Sequence, residues 1–357
     1  MTAAWPIVGP RPRDELAAWT DAPLSDARLG AIPPFTDPPP PGRIHLVNGR
    51  GVFVRQTPGS TGSKSDDIPG GRSDLWCIHG LGGASLNWDR LGAALTPYTT
   101  TWAPDLPGSG RSEPPPGDRY SLIGEADLVA ALIRRLSPGP VHLAGNSRGG
   151  IVATFLADRH PELVRSLTLV SPAVRDLRPV HDRGADARLA LIMLPGVAAE
   201  AERRLAGISP ENRARGLAFL CFGEPDKLGA DDLAAAEAEF RWRSGLPWAH
   251  SSMVSSLRAL IRAQLRPYPW SFSSAAHRVR VPTLIVWGTR DRLVDVRLAR
   301  RTAENFLDAR LLVLAGAGHV AQMERPAETA RAMMAMWATA PGAPRLTAGR
   351  TVARWRS

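Results

Sequence analysis

Three short strings carry the side chains that could do chemistry together. They are a serine in HLAGNSRGGIV (142–152), an aspartate in VWGTRDRLVD (286–295) and a histidine in LAGAGHVAQME (314–324). A serine hydroxyl is a weak nucleophile until a base removes its proton, and the base needs a carboxylate to hold its tautomer and stabilise its cation. Gly145, Ser147 and Gly149 fit the Gly-x-Ser-x-Gly elbow, and Ser, Asp, His is the chain order that accompanies it. Ser147 is therefore expected as nucleophile, Asp291 as the orienting acid and His319 as general base. Asp295 and Asp176 compete for the acid role, Asp176 because it follows the apolar run that ends at Pro172.

The glycines of the elbow have a steric purpose, since larger residues there would collide with the neighbouring strand and helix. The turn also sets Ser147 at a helix N-terminus, where the amide of Arg148 can stabilise negative charge. A second donor is expected from the glycine-loosened string CIHGLGGASLNW (77–88), with the amide of Leu81 as the candidate. His79 in that string is expected to brace backbone. The guanidinium of Arg148 is a candidate for binding a substrate carboxylate, unless it folds onto an acidic neighbour.

These residues must be positioned by a sheet. Continuous apolar runs separated by helical periodicity (DLWCIHG, TTTWAPD, VHLAGNS, SLTLVSP, PTLIVWG, ARLLVLAG) read as buried parallel strands with crossover helices. RIHLVNGRGVFVRQ adds a hairpin turning at Asn48 and Gly49. A helix is expected after the cap Ser121, another after Ser147, and the last from Pro326. A mostly helical stretch, 175–277, breaks the alternation and reads as a lid over the strand ends. Its Met193, Leu194, Phe240, Trp242, Trp248 and Trp270 are candidates to line an apolar pocket, Trp242 and Trp248 foremost as substrate contacts, or else to form the lid's own core. His181 and His250 in the lid read as surface residues.

Together the marks HGLGG at His79, DLPGSGRSEPP at Asp105, GNSRGG, WGTRD at Trp287 and GAGHVAQME resemble the α/β-hydrolase superfamily over about residues 43–340. The resemblance implies an α/β fold with a mostly parallel eight-stranded sheet and a lid insertion, and assigns Ser147, Asp291 and His319 their three roles. GNSRGG with GHVAQME is also similar to the subset that hydrolyses carbon–carbon bonds in ring-fission products, where methionine usually stands at the place of Arg148 and tryptophan at that of Val320. Serine at the elbow argues against the relatives that use aspartate there, the epoxide hydrolases and haloalkane dehalogenases.

The expected division is a proline-rich arm, 1–41, then core, 42–174, lid, 175–277, core, 278–340, and a basic tail, 341–357. The arm, with PPFTDPPPP from Pro33, is expected to wrap or be disordered and to do no catalytic work. A net charge of +10 comes almost wholly from arginine spread along the chain, which argues against a nucleic-acid partner. The two cysteines, Cys77 and Cys221, do not form a disulfide framework, and no apolar run has the length of a membrane span or signal core. A cytoplasmic protein acting on a small molecule, without metal or cofactor, is expected. Its activity would be hydrolysis of a small or medium carboxylic ester. The alternatives are carbon–carbon hydrolysis of dienoic acids, or a binding protein that keeps the triad but hardly turns over.

Overall fold

The structure is a computed structural model that describes residues 13–60, 73–176 and 191–340. The hairpin forms first: β1 (Gly42–Val47) pairs antiparallel with β2 (Arg50–Thr57). Asn48 and Gly49 take φ of 51° and 75°, the left-handed pair that a two-residue turn between twisted strands requires. Then follow β3 (Leu75–Ile78), α1 (Asp89–Leu95), β4 (Thr101–Pro104), α2 (Leu122–Leu136), β5 (Val141–Asn146), α3 (Arg148–Arg159) and β6 (Val164–Val170). Four helices come next, α4 (Pro195–Ala206), α5 (Pro210–Cys221), α6 (Ala230–Ser244) and α7 (Ala249–Gln264). The chain closes with α8 (Phe272–Arg278), β7 (Thr283–Gly288), α9 (Ala299–Ala303), β8 (Ala309–Leu314), α10 (Ala321–Glu324) and α11 (Pro326–Trp337).

One eight-stranded sheet has the order β1-β2-β4-β3-β5-β6-β7-β8. Only β2 runs against its neighbours; the pairings from β4 through β8 are parallel. Every residue of β3, β5 and β7 is buried, because helices cover both faces. One face packs Leu132 of α2, Val152 of α3 and Ala275 of α8; the other packs Leu91 of α1 with Met333 and Trp337 of α11. Ser121 caps α2 by accepting from the amide of Gly124, and Pro326 opens α11, as their residue types require.

Helices α4 to α7 leave the sheet after β6 and build a small core of their own around Ile192, Ala198, Val254 and Ile261. The excursion ends before α8, which packs on α3 as an ordinary crossover helix. At the other end of the chain, Asp21 and Ala22 donate to Leu311 O (2.9 and 3.1 Å), and Thr20 Oγ1 accepts from Val313 N (2.9 Å). These bonds occupy backbone groups on the outer side of β8, which would otherwise be an open sheet edge. The arm then crosses α11 and α1, tied by Ser25 N to Arg331 O (3.1 Å) and Gly30 N to Ala94 O (2.8 Å). The first twelve residues, His181 and the basic tail lie outside the described residues.

Candidate active site

Ser147 ends β5 and opens α3 with φ 54° and ψ −119°, a conformation that an L residue adopts only under constraint. The constraint is visible in its neighbours. A Cβ on Gly145 would lie 2.3 Å from Gly149 O, and one on Gly149 would lie 2.2 Å from Ile78 O. The helix start and strand β3 therefore approach more closely than any side chain permits. Ser147 N donates to Val170 O (2.9 Å), and Ser147 O accepts from Gly150 N (3.0 Å) and Ala173 N (3.1 Å), so the elbow's backbone is fixed on both sides.

His319 follows β8 and Asp291 follows β7, adjacent parallel strands whose ends bring the two loops together. Nδ1 of His319 lies 2.9 Å from Oδ2 of Asp291. The other oxygen, Oδ1, accepts from Leu293 N (2.8 Å) and Val294 N (2.9 Å), leaving Oδ2 for the imidazole. Asp295 is engaged differently: it caps the following turn through Arg297 N (2.9 Å) and pairs with that residue's guanidinium. Asp176 lies on the wall of the same cavity. Asp291 is thus the carboxylate that meets the ring.

Two residues to which the sequence reading gave no role hold this loop. Asn146 Nδ2 donates to Val170 O (3.1 Å) and to His319 O (3.0 Å), joining the residue before the serine to the histidine. Glu324 accepts from Gly318 N (2.7 Å) and Gly223 N (2.9 Å), while His319 N donates to Cys221 O (2.7 Å). The helical excursion is therefore pinned to the histidine loop. Burial raises the pKa of Glu324 against the pull of those amides. An amide side chain at the end of a buried strand, and a carboxylate five residues after the histidine, were the available signals.

The loop after β3 contains a turn closed by Gly83 N donating to Gly80 O (3.2 Å), with Gly82 at φ 72°. Buried His79 explains its orientation. Its Nε2 accepts from Leu106 N (2.9 Å), so its Nδ1 carries the proton and donates to Gly80 O (2.7 Å). Burial pushes its pKa down to about 4, with nearby Asp105 pulling the other way, which keeps the ring neutral. In a trans peptide the carbonyl and the next N–H point in opposite directions, so holding Gly80 O turns the amide of Leu81 the other way. Leu81 lies on the cavity wall with Ser147. The amide of Arg148 belongs to the first turn of α3, where no intrahelical acceptor exists.

A cavity of about 990 Å³ lies between these strand ends and the helices above. Ser147, His319 and Leu81 are on its floor; Leu217 and Cys221 of α5, Leu233 and Phe240 of α6, and Leu257 and Ile261 of α7 are on its roof. Residues 33–40 of the arm form part of its wall, a contact between distant parts of the chain that no local pattern announces.

The structure corrects three side-chain assignments. Arg148 is fully buried and its guanidinium pairs with Glu125 of α2, so it does not reach the cavity as a substrate ligand. Burial pushes Glu125 up to about 7, and Arg148 pulls it down. Trp242 is 43% exposed and covers the guanidinium of Arg111 at 4.2 Å. Standing two residues after Phe240, it lies about 200° further round α6 and faces away from the cavity. Trp248 precedes α7 and is not on the cavity wall either. Of the other candidates, Met193 packs with the small core of the excursion, Leu194 and Trp270 are exposed, and half-buried His250 is off the wall. Among the described residues no group of three His, Cys, Asp or Glu could hold a metal, and no helix is long and apolar enough to cross a membrane.

An elbow serine, an Asp-held histidine after the last two strands, and a helical excursion after β6 define a class of hydrolase. The family profile described as alpha/beta hydrolase fold matches residues 75–326, and the chain belongs to that family. It is 26% identical over 279 residues to a monoacylglycerol lipase of Xenopus laevis, covering 74% of this chain and 75% of the relative. A pimeloyl-[acyl-carrier protein] methyl ester esterase of Chromobacterium violaceum is 28% identical over 260 residues, 73% of this chain and 92% of the relative. The solved meta-cleavage product hydrolase of Pseudomonas fluorescens IP01 superposes with a TM-score of 0.62 at 22% identity, covering 83% of this chain and 97% of that one. That likeness is one of fold.

Proposed function

We propose that the protein hydrolyses small or medium carboxylic esters through an acyl-enzyme on Ser147. The observation that carries this reading is the bond at 2.9 Å between buried Asp291 Oδ2 and Nδ1 of His319, which lines the same cavity as Ser147 on its strained elbow. His319 takes the proton of Ser147 as the hydroxyl attacks the ester carbonyl, and Asp291 stabilises the imidazolium. The amides of Leu81 and Arg148 receive the oxyanion. The imidazolium then protonates the leaving alcohol, and water repeats the sequence to release the acid. Helices α4 to α7 act as the lid that excludes solvent from these steps. The esterase and lipase names of the two relatives favour ester cleavage over carbon–carbon cleavage, as does the withdrawal of Arg148 into its pair with Glu125.

The test is labelling by a fluorophosphonate with turnover of p-nitrophenyl esters beside a ring-fission dienoic acid. The expected result is a single labelled residue, Ser147, and ester turnover that Ser147→Ala lowers by at least about 10³-fold. Faster turnover of the dienoic acid than of any ester would overturn the ester reading. Labelling without repeated turnover would assign the chain to binding.

A further inference from the structure

The proline-rich segment 33–40 is a wall of the cavity, yet the mechanism gives it no task. Its position is held at both ends by arginines. Arg90 Nε donates to Pro33 O (2.9 Å), and Arg55 Nη1 donates to Pro40 O. Between these anchors the ring of Phe35 meets Phe222 edge-to-face, with centroids 5.8 Å apart, and lies under the Arg90 guanidinium at 4.2 Å. Proline suits such a wall. It fixes its own φ, so little freedom is lost when the segment is held, and it has no N–H to leave unsatisfied against an apolar cavity.

The contacts of Phe35 also locate it within the reaction. Phe222 follows Cys221, whose carbonyl accepts from His319 N (2.7 Å). Arg90, which covers the ring, donates through Nη1 to Met323 O (2.6 Å), four residues beyond His319. Both partners therefore tie Phe35 to the histidine side of the cavity. The leaving alcohol receives its proton from the imidazole, so the alcohol must stand on that same side, while the acyl group is held by Ser147 and the oxyanion donors.

Resting on the ester reading above, we infer that Phe35, presented by the strap 33–40, is a specificity-determining residue that limits the size of the alcohol portion of the substrate. Removing the ring opens the wall where the alcohol lies and leaves the acyl side unchanged. The experiment compares two series on the full chain, butyrate esters of alcohols from methanol to octanol and p-nitrophenyl esters of acids from acetate to octanoate. Phe35→Ala is expected to raise kcat/KM for octyl relative to methyl butyrate at least fivefold, mainly through KM, and to change the acyl series less than twofold. Phe35→Leu keeps an apolar contact and should give the same direction with a smaller ratio; it decides the matter if the alanine variant does not fold. An unchanged alcohol profile, or equal changes in both series, overturns the inference while the ester reading stands. Absence of ester turnover and of Ser147 labelling in the unmodified protein overturns both.

Discussion

The floor and the roof of the cavity are held in place by different means. On the floor, backbone meets backbone: Gly145 and Gly149 let α3 and β3 approach to distances that no Cβ could share, and Ser147 is kept at φ 54° by that packing. The roof packs backbone on backbone at one point, where a Cβ on Gly223 would lie 2.1 Å from Gly316 O, and is otherwise held by separate bonds around its rim. His319 N to Cys221 O, Glu324 to Gly223 N, Arg243 Nη1 to Gly82 O (3.1 Å), Tyr120 to Ser252 (2.6 Å) and Gln264 Nε2 to Ala173 O (2.7 Å) join it to the sheet. Most ion pairs within its helices, such as Arg204 with Glu200, are exposed and contribute little. A site divided in this way keeps reacting atoms where sterics leave no choice, and keeps selectivity where single side chains can change. Loss of one floor contact should be felt by the whole domain, and loss of one roof contact by the substrate.

The largest expected effect comes from making one substitution, glycine to alanine, in both places. Gly149→Ala places a Cβ 2.2 Å from Ile78 O, a backbone atom in a fully buried strand, so helix or strand must move. A loss of at least about 3 kcal/mol is expected, with activity lost in parallel. Gly216 lies inside α5, with nothing within 4 Å of where its Cβ would stand. There alanine should stabilise by roughly 0.5–1 kcal/mol through helix propensity. Denaturant midpoints of the two variants check the pair. Comparable effects at both sites would remove the distinction between floor and roof.

A second effect depends on pH. Burial pushes His142 of β5 down to about 3, with Arg165 adding to the shift; its Nδ1 meets Ser166 Oγ at 2.8 Å and its ring stacks on Trp337 at 4.3 Å. The unfolded chain takes up this proton near the ordinary histidine value of 6.5, and the folded chain refuses it. The contribution to stability is thus present above pH 6.5 and lost as pH falls towards 3, by a few kcal/mol in order of magnitude. Glu125 works in the opposite direction. Raised to about 7, it stabilises fully below the ordinary value of 4.5, and that contribution is lost as pH rises through 7. The difference between a variant and the parent isolates one group from the other. For His142→Phe, which keeps the stack on Trp337, Tm minus that of the parent should rise steadily from pH 7 to pH 4. At half-buried His250 of the roof the same replacement should give a much flatter line, and a slope as steep as that of His142 would refute the contrast.

What could be read from the residues follows the same division. The elbow, the six apolar strands and the hairpin at Asn48 and Gly49 are local patterns, and each corresponds to an element of the fold. The motif after the strand favoured Asp291 over Asp295 and Asp176, but the contact itself depends on the loop geometry that brings its Oδ2 to the imidazole. The roof was legible as helices but not by face. α6 is rich in alanine and charged residues and lacks a sharp apolar stripe, so nothing local said which side covers the site. The spacing of Phe240 and Trp242 did carry one usable fact, since residues two apart do not share a helix face. The task of residues 33–40 was hidden for a different reason. Proline content predicts an extended segment, but what it covers depends on Arg90 and Arg55, which are remote in sequence.

The smallest expected effect tests the orientation of α6 directly. Trp242 looks in the sequence like the stronger substrate contact, yet it stands outside the cavity over Arg111, whose guanidinium also pairs with Glu239 at 3.4 Å. Trp242→Ala removes an exposed cation–π contact worth about 0.5–1 kcal/mol and should change KM for p-nitrophenyl esters less than twofold. Phe240→Ala removes a ring from the cavity wall and should raise KM for the longer esters severalfold. Steady-state kinetics on both variants measure the two changes side by side. If Trp242→Ala proves the more damaging to KM, then α6 presents its other face to substrate in solution, and the roof described above is rotated on its floor.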